Sequence, residues 1–349
     1  MQQITNTPSL RAQVITRRTY NRPLIEGGFE SWEQTVDRVI AHQAWLWIRA
    51  AGFTASVPDA VVSELDELRQ LMLDRKVLTS GRTLWLGGTE VAKRREASQF
   101  NCSFTNIETV MDCVDALWLL SQGCGVGFRP IVGQLTGYQK PIPKLTVVRS
   151  VRTEKGGAAH NEETFDATTG VWTIKVGDSA EAWAKSIGKL VAHKYAASEL
   201  VLDFSEIRPS GDRLSGYGWI SSGDASLCKA YTAIHKLLNR RAGSLLTRMN
   251  ILDLVNWMGT VLSSRRSAEI ALFTFGEDEW EQFAVAKKDF WIANEQRAQS
   301  NNSLVFNTKP LKKELEKIFG LMVASGGSEP GFINGQAATK RAPWFKGSN

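Results

Sequence analysis

Leu200-Val201-Leu202-Asp203-Phe204 runs directly into Ile207-Arg208-Pro209-Ser210-Gly211-Asp212-Arg213-Leu214-Ser215-Gly216-Tyr217-Gly218-Trp219-Ile220-Ser221-Ser222-Gly223, after which Asp224 opens an apolar repeat at Leu227, Tyr231, Ile234 and Leu238. The order reads as buried strand, long loop and amphipathic helix, the unit from which α/β folds are assembled. The loop carries four glycines, small hydroxyls and two arginines. Ligands of α/β proteins gather at the carboxyl ends of strands, so this position points to a nucleotide-binding loop. It lacks the Gly-Lys-Ser/Thr ending of a Walker loop and the spacing of a dinucleotide fingerprint.

The same texture extends in both directions from Val77 onward. Helices are expected from Asp112 to Ser121, from Asp178 through Leu190, from Asn250 through Met258, and from Lys309-Pro310 to Gly326-Gly327. Glu269-Ile270-Ala271-Leu272-Phe273 and Gly331-Phe332-Ile333-Asn334 read as further strands. Asn301-Asn302 open an apolar strand, and Arg265-Arg266 with Glu269 suggest an ion-pair network at a strand end. Before residue 76 the pattern is helical. Ser31-Trp32-Glu33-Gln34 is a capping box for a helix with Trp32, Val36, Ile40 and Trp47 on its apolar face. Ser56 and Pro58 begin a second helix with Val62, Leu65, Leu68 and Met72, while residues 1–30 read as an irregular arm. The expected organisation is a helical region over 1–75 and an α/β region over 76–349.

Composition narrows the function classes. A chain of 349 residues, 43% hydrophobic, supports a large core, and a net charge of +6 suits an anionic small ligand better than a specific nucleic-acid interface. Four cysteines without a CxxC pair, no signal peptide and no membrane-length apolar run place the expected compartment in a reducing cytoplasm. His42, His160, His193 and His235 are scattered, so no metal site is expected. The segment 149–161, with Arg149, Arg152, Lys155 and Gly156-Gly157, reads as a mobile basic loop or solvated hairpin.

Asn101-Cys102-Ser103-Phe104 stands out near the close of a strand-like run. It lies between Leu78-Thr79-Ser80-Gly81-Arg82 and the glycine stretch Gly123-Cys124-Gly125-Val126-Gly127-Phe128, which is expected to be a loop. Taken alone, Cys102 reads as a small buried hydrophobe. Cys113 and Cys228 fall within helices and read as inert core, whereas Cys124, in its glycine loop, is expected to be exposed.

These pieces together resemble the large catalytic chain of ribonucleotide reductase, most closely the adenosylcobalamin-dependent (class II) form that acts on ribonucleoside triphosphates. The resemblance is carried in order by Ser80-Gly81-Arg82, Asn101-Cys102, Gly125-Val126-Gly127-Phe128, Asp203 to Pro209 with Gly216-Tyr217-Gly218, Ser264 to Leu272, Ser300-Asn301-Asn302-Ser303, Glu329-Pro330-Gly331 and Gly347-Ser348-Asn349. It implies the N-terminal part of a ten-stranded α/β barrel behind a short helical layer without an ATP cone. Cys102 resembles the first of two reducing cysteines that replace the ribose 2′-hydroxyl with hydrogen, in thiyl-radical chemistry coupled to thioredoxin or a similar dithiol. Ser80, Asn101 and Ser103 fall where the family holds substrate. Arg213, Ser215, Gly216, Gly218, Ser221 and Ser222 fall in the loop through which a deoxynucleoside triphosphate effector selects the base, and Asn349 matches the finger-loop asparagine.

In the family the terminal Gly-Ser/Thr-Asn leads into Pro-Cys-x-Glu, source of the radical cysteine and the general base. The chain stops at Asn349. The resemblance therefore implies a complementary C-terminal reductase chain that completes the site and holds most of the adenosylcobalamin. The class I large chain, and a non-catalytic nucleotide-binding protein of the same fold, are the alternatives.

Overall fold

The computed structural model describes residues 8–212, 214, 220–262 and 269–342. The chain forms two compact units, residues 1–101 and 102–349.

The first unit is helical. Helix Trp32–Ala50 starts from the expected capping box, in which Gln34 N donates to Ser31 Oγ at 3.1 Å and Ser31 N donates to Gln34 Oε1 at 2.7 Å. It packs Val36 and Val39 against Met72 of helix Asp59–Leu73 and Leu84 of the short helix Gly81–Leu86. Trp47, expected on the apolar face, is half exposed, because Val39 and His42 occupy the buried stripe. The second helix begins at Asp59 behind Pro58, so Ser56 does not cap it, and Val61 takes the buried position expected of Val62. Arg38 is the polar hub: its guanidinium donates to Glu30 Oε1 at 2.8 Å, to Glu30 Oε2 and the Leu84 carbonyl at 3.0 Å, and to the Gly87 carbonyl. The arm before residue 31 is partly ordered, with a helical turn over Leu10–Ile15.

The second unit is α/β. Its strands are β1 Cys102–Ile107, β2 Gly125–Pro130, β3 Lys144–Val148, β4 Glu162–Asp166, β5 Val171–Lys175, β6 Glu199–Asp203, β7 Glu269–Thr274, β8 Ser300–Phe306 and β9 Gly331–Asn334. They form two sheets. The order β1-β2-β7-β8-β9 is parallel throughout, and β3-β6-β5-β4 is parallel except for the β4–β5 pair. β1–β2 and β7–β8 each match six residues in register, and among the described residues β2–β7 matches Val126, Gly127 and Phe128 against Glu269, Ile270 and Ala271. The opening stretch is β6, central in the four-stranded sheet and buried at Leu200 and Leu202.

Two local readings change. Cys102 begins its strand, which follows a 3₁₀ turn over Glu96–Gln99, and Gly125 to Phe128 is strand β2 instead of a loop. Alternation explains the second: Val126 and Phe128 are buried on one side, while the glycines fall on the other. Two helix starts shift by a residue or more. Ser179 caps helix Ala180–Ala192, leaving the Asp178 carboxylate to accept from Arg208. Thr247 caps helix Arg248–Gly259, with Asn250 as the reciprocal partner three residues on.

Beneath the loops lies a buried relay with a pH signature. Asn239 Nδ2 donates to the Ile142 carbonyl at 2.9 Å and contacts His235 Nε2 at 3.1 Å, while His235 Nδ1 pairs with Tyr138 OH at 3.1 Å. Asn239 is fixed in this orientation because its Oδ1 accepts from Ile142 N at 2.8 Å, so Nε2 must stay an acceptor and the ring neutral. Burial, reinforced by Lys236, pushes the imidazole from the ordinary 6.5 down to about 4. The unfolded chain therefore binds the proton first. Stability from this site is complete above pH 6.5 and is expected to fall by roughly 1.4 kcal/mol per pH unit towards pH 4. Urea midpoints of the chain and His235→Asn across pH 4–7 check this: the variant should flatten the slope, and parallel curves would refute it.

Candidate active site on the open sheet face

One side of the five-stranded sheet is covered by helices Val110–Ser121, Arg248–Gly259, Trp280–Ala284 and Lys312–Ser325. Along β2, β7 and β8, residues of the other side are exposed or half-buried, in strict alternation with buried neighbours. In register, this open side presents Cys102 beside Gly125, then Phe104, Gly127, Ile270 and Asn301 across one row. Gly127 is required there. A β-carbon would come within 2.8 Å of the Phe104 ring, so glycine lets that ring lie across the backbone of β2.

Cys102 is exposed at the first position of β1. The other three thiols are withdrawn: Cys113 and Cys124 are 0% exposed and Cys228 is 8% exposed. Cys124 is thus buried, contrary to the sequence expectation, because it falls in phase with the buried Val126 and Phe128 of β2. Burial, followed by the Asp112 charge, pushes the Cys113 thiol up to about 12. Burial and then Asp224 push Cys228 up to about 11.

Ser103 points to the helix side, in the row of Val126, Glu269 and Ser300, and its Oγ donates to the Gly125 carbonyl at 3.4 Å. Strand alternation thus parts it from Cys102. Ser80 and Asn101 belong to the first unit. Ser80 caps helix Gly81–Leu86, its Oγ accepting from Thr83 N at 3.3 Å, and Asn101 Oδ1 accepts from Nε of the buried Arg82 at 2.9 Å.

Glu269 was not legible as unusual. It is 1% exposed, and neither carboxylate oxygen meets a hydrogen-bond partner among the described residues; burial raises its pKa well above the ordinary carboxylate value. Gly259 makes room for it, since a β-carbon there would meet Glu269 Oε1 at 2.3 Å. Arg265 and Arg266, expected to pair with it, lie outside the described residues, as do Arg213, Ser215, Gly216, Gly218 and Asn349.

The base of the loop after β6 is firmly tied. Arg208 Nε donates to both Asp178 oxygens at 2.9 and 3.1 Å, Ser221 N donates to the Asp212 carbonyl at 2.7 Å, and Ser222 Oγ donates to the Val261 carbonyl at 2.8 Å. The basic segment 149–161 is also tethered rather than free: Arg149 clasps Asp224 at 2.6 and 3.0 Å, and Glu206 accepts from Ala158 N at 2.9 Å while pairing with Lys175 at 2.8 Å. The Arg149 guanidinium holds the Asp224 carboxyl below its ordinary range. Gly157 permits the closure, as its β-carbon would collide with the Glu206 carbonyl at 1.9 Å. Among the described residues no group of three His, Cys, Asp or Glu side chains is placed to hold a metal, and no helix is long and apolar enough to cross a membrane.

Comparison with known proteins gives a consistent result. A family model described as B12-dependent ribonucleotide reductase, insertion domain, matches residues 148–238, and one described as ribonucleotide reductase alpha domain matches residues 2–89. The insertion match takes in β4, β5 and β6 of the four-stranded sheet. The adenosylcobalamin-dependent ribonucleoside-triphosphate reductase of Lacticaseibacillus paracasei is 30% identical over 363 residues, covering 92% of this chain and 48% of that protein. Its counterpart in Lactobacillus helveticus is 29% identical, covering 85% of this chain and 45% of that protein. A crystal structure of B12-dependent (class II) ribonucleotide reductase superimposes with a TM-score of 0.69 at 26% identity, over 84% of this chain and 45% of that one. The chain spans about half the length of the curated relatives it matches. An α/β unit with a parallel sheet, an insertion-domain match between β2 and β7, and relatives of one kind along most of its length make this chain similar to part of the class II, B12-dependent ribonucleotide reductases.

Proposed function

We propose that the chain supplies one reducing thiol and the substrate- and effector-facing surfaces of a reductase that converts ribonucleoside triphosphates to deoxyribonucleotides. The observation that carries this reading is the exposure of Cys102 on the open sheet face while the other three thiols are buried. Two thiols oxidised to one disulfide release two electrons and two protons, which turn a C–OH into C–H and the departing hydroxyl into water. Cys102 is one of those thiols. Its disulfide partner must come from another polypeptide segment, since Cys113, Cys124 and Cys228 are enclosed, and thioredoxin or a similar dithiol would return the pair to the reduced state. Ser80 and Asn101 hold the sugar and phosphates in this reading, and the loop after β6 receives a deoxynucleoside triphosphate effector.

The relatives are named for adenosylcobalamin, a radical initiator when bound. The cavity of about 260 Å³ beside Trp291 is far too small for a corrin. In this reading the cofactor belongs to a complementary reductase polypeptide. The test is an assay of deoxynucleotide formation from this chain with adenosylcobalamin, a dithiol and a ribonucleoside triphosphate, alone and with a polypeptide carrying the remainder of a relative. Product is expected only in the mixture. Turnover by the chain alone would overturn the division of labour, and none in a folded complex would overturn the activity.

A further inference from the structure

The cavity of about 260 Å³ lies on the helix side of the five-stranded sheet, away from the face that carries Cys102. Phe283, Phe290 and Trp291 form its apolar wall, Asn302 its floor, and Lys287 with Glu329 its polar edge. Lys287 Nζ donates to Glu329 Oε1 at 2.9 Å, but Glu329 Oε2 is buried with no donor among the described residues. An acceptor left in that state costs free energy unless a ligand supplies the missing N–H. Trp291 is 65% exposed beside this edge, with its ring 5.4 Å from that of Phe290. A tryptophan held so open has little packing role, and its face is free to stack.

The wall is positioned at a backbone cost. Glu279 and Asp289, both non-glycine, adopt left-handed φ of 68° and 49° just before the short helices that carry Phe283 and Trp291. The opposite rim is Gly326-Gly327, and a β-carbon on Gly326 would meet nothing within 4 Å, which keeps the mouth clear.

We propose that this cavity binds a planar nitrogen heterocycle with an amino group beside a ring nitrogen, the edge presented by adenine or cytosine. The amino group donates to Glu329 Oε2, the ring nitrogen accepts from the Lys287 ammonium, and the ring stacks on Trp291. The volume suits a single heterocycle, just below the usual range of sites for larger ligands. The site shares no residue with the Cys102 face, so it stands or falls separately from the reductase reading.

The experiment is calorimetric titration of the purified chain with adenine and with unsubstituted purine, which has the same rings but no amino group. Adenine should bind at least tenfold more tightly than purine, because purine leaves the buried acceptor unmet. Trp291→Ala and Glu329→Gln should each weaken adenine at least tenfold, whereas Cys102→Ser should leave it unchanged. Equal affinity for the two rings, no binding of adenine, or indifference to Trp291→Ala would each overturn the proposal. So would loss of binding in Cys102→Ser, by placing adenine on the other face. If Glu329→Gln fails to fold, the adenine–purine ratio and the surface variant Trp291→Ala decide the matter.

Discussion

Replacing Cys102 by serine in the reconstituted enzyme should lower dithiol-coupled multiple turnover by at least roughly a thousandfold while leaving the melting temperature unchanged, because the residue is exposed and packs against nothing that serine would lose. A hydroxyl at this position can still donate a proton, but it cannot form the disulfide that carries the two electrons. Cys113→Ser should behave oppositely, costing about 1–3 kcal/mol of stability for a hydroxyl buried in an apolar site, with turnover per folded molecule preserved. Alkylation separates the two kinds of cysteine before any assay is run. At pH 8 a thiol raised to about 12, as in Cys113, is thiolate in only about one molecule in ten thousand, so a maleimide should modify Cys102 alone in the folded protein. Full multiple turnover by Cys102→Ser would refute the reducing role.

Asp178→Ala is the second large effect. The Asp178 side chain is 5% exposed and neutralises Arg208, itself 19% exposed, where the loop after β6 begins. Removing the carboxylate strands a guanidinium in a site built for a pair, a change that costs about 3–5 kcal/mol when both partners are buried. Because Arg208 keeps some contact with water, we take the lower figure of about 3 kcal/mol, which for a unit of this size corresponds to a fall of roughly 6–12 °C in melting temperature. Asp178→Asn should recover part of it through a neutral acceptor. Differential scanning calorimetry of the three proteins checks the order, and a shift under about 2 °C for Asp178→Ala would remove the pair from the account of how the loop is anchored.

Much of the fold was readable because period and composition agree where one side of an element is buried. β6 and β7, helix Trp32–Ala50 with its capping box, and helix Lys312–Ser325 ending at Gly326 all announce themselves. β2 did not, since Gly125 and Gly127 imitate a turn; only the buried neighbours Val126 and Phe128 give its period, and their partner strands are distant in sequence. Helix starts slipped where the residue expected to open the helix has another partner, as Asp178 has Arg208 and Asn250 has Thr247. Of the site, Cys102 was legible through resemblance, and its exposure came from the structure. The opposed facing of Ser103 follows from alternation once Cys102 is known to begin the strand. The enclosure of Glu269 was not legible, because burial cannot be seen in an acidic residue that opens a strand.

The pairing of β2 with β7 has a kinetic meaning. β1 and β2 are joined by one helix, and β7, β8 and β9 follow one another closely, but the meeting of Val126 with Glu269 must close a loop containing the whole four-stranded sheet. Loop-closure entropy grows only slowly with length, and a loop already folded upon itself behaves as a much shorter one. The five-stranded sheet is thus two ribbons whose union waits on the folding of an inserted body.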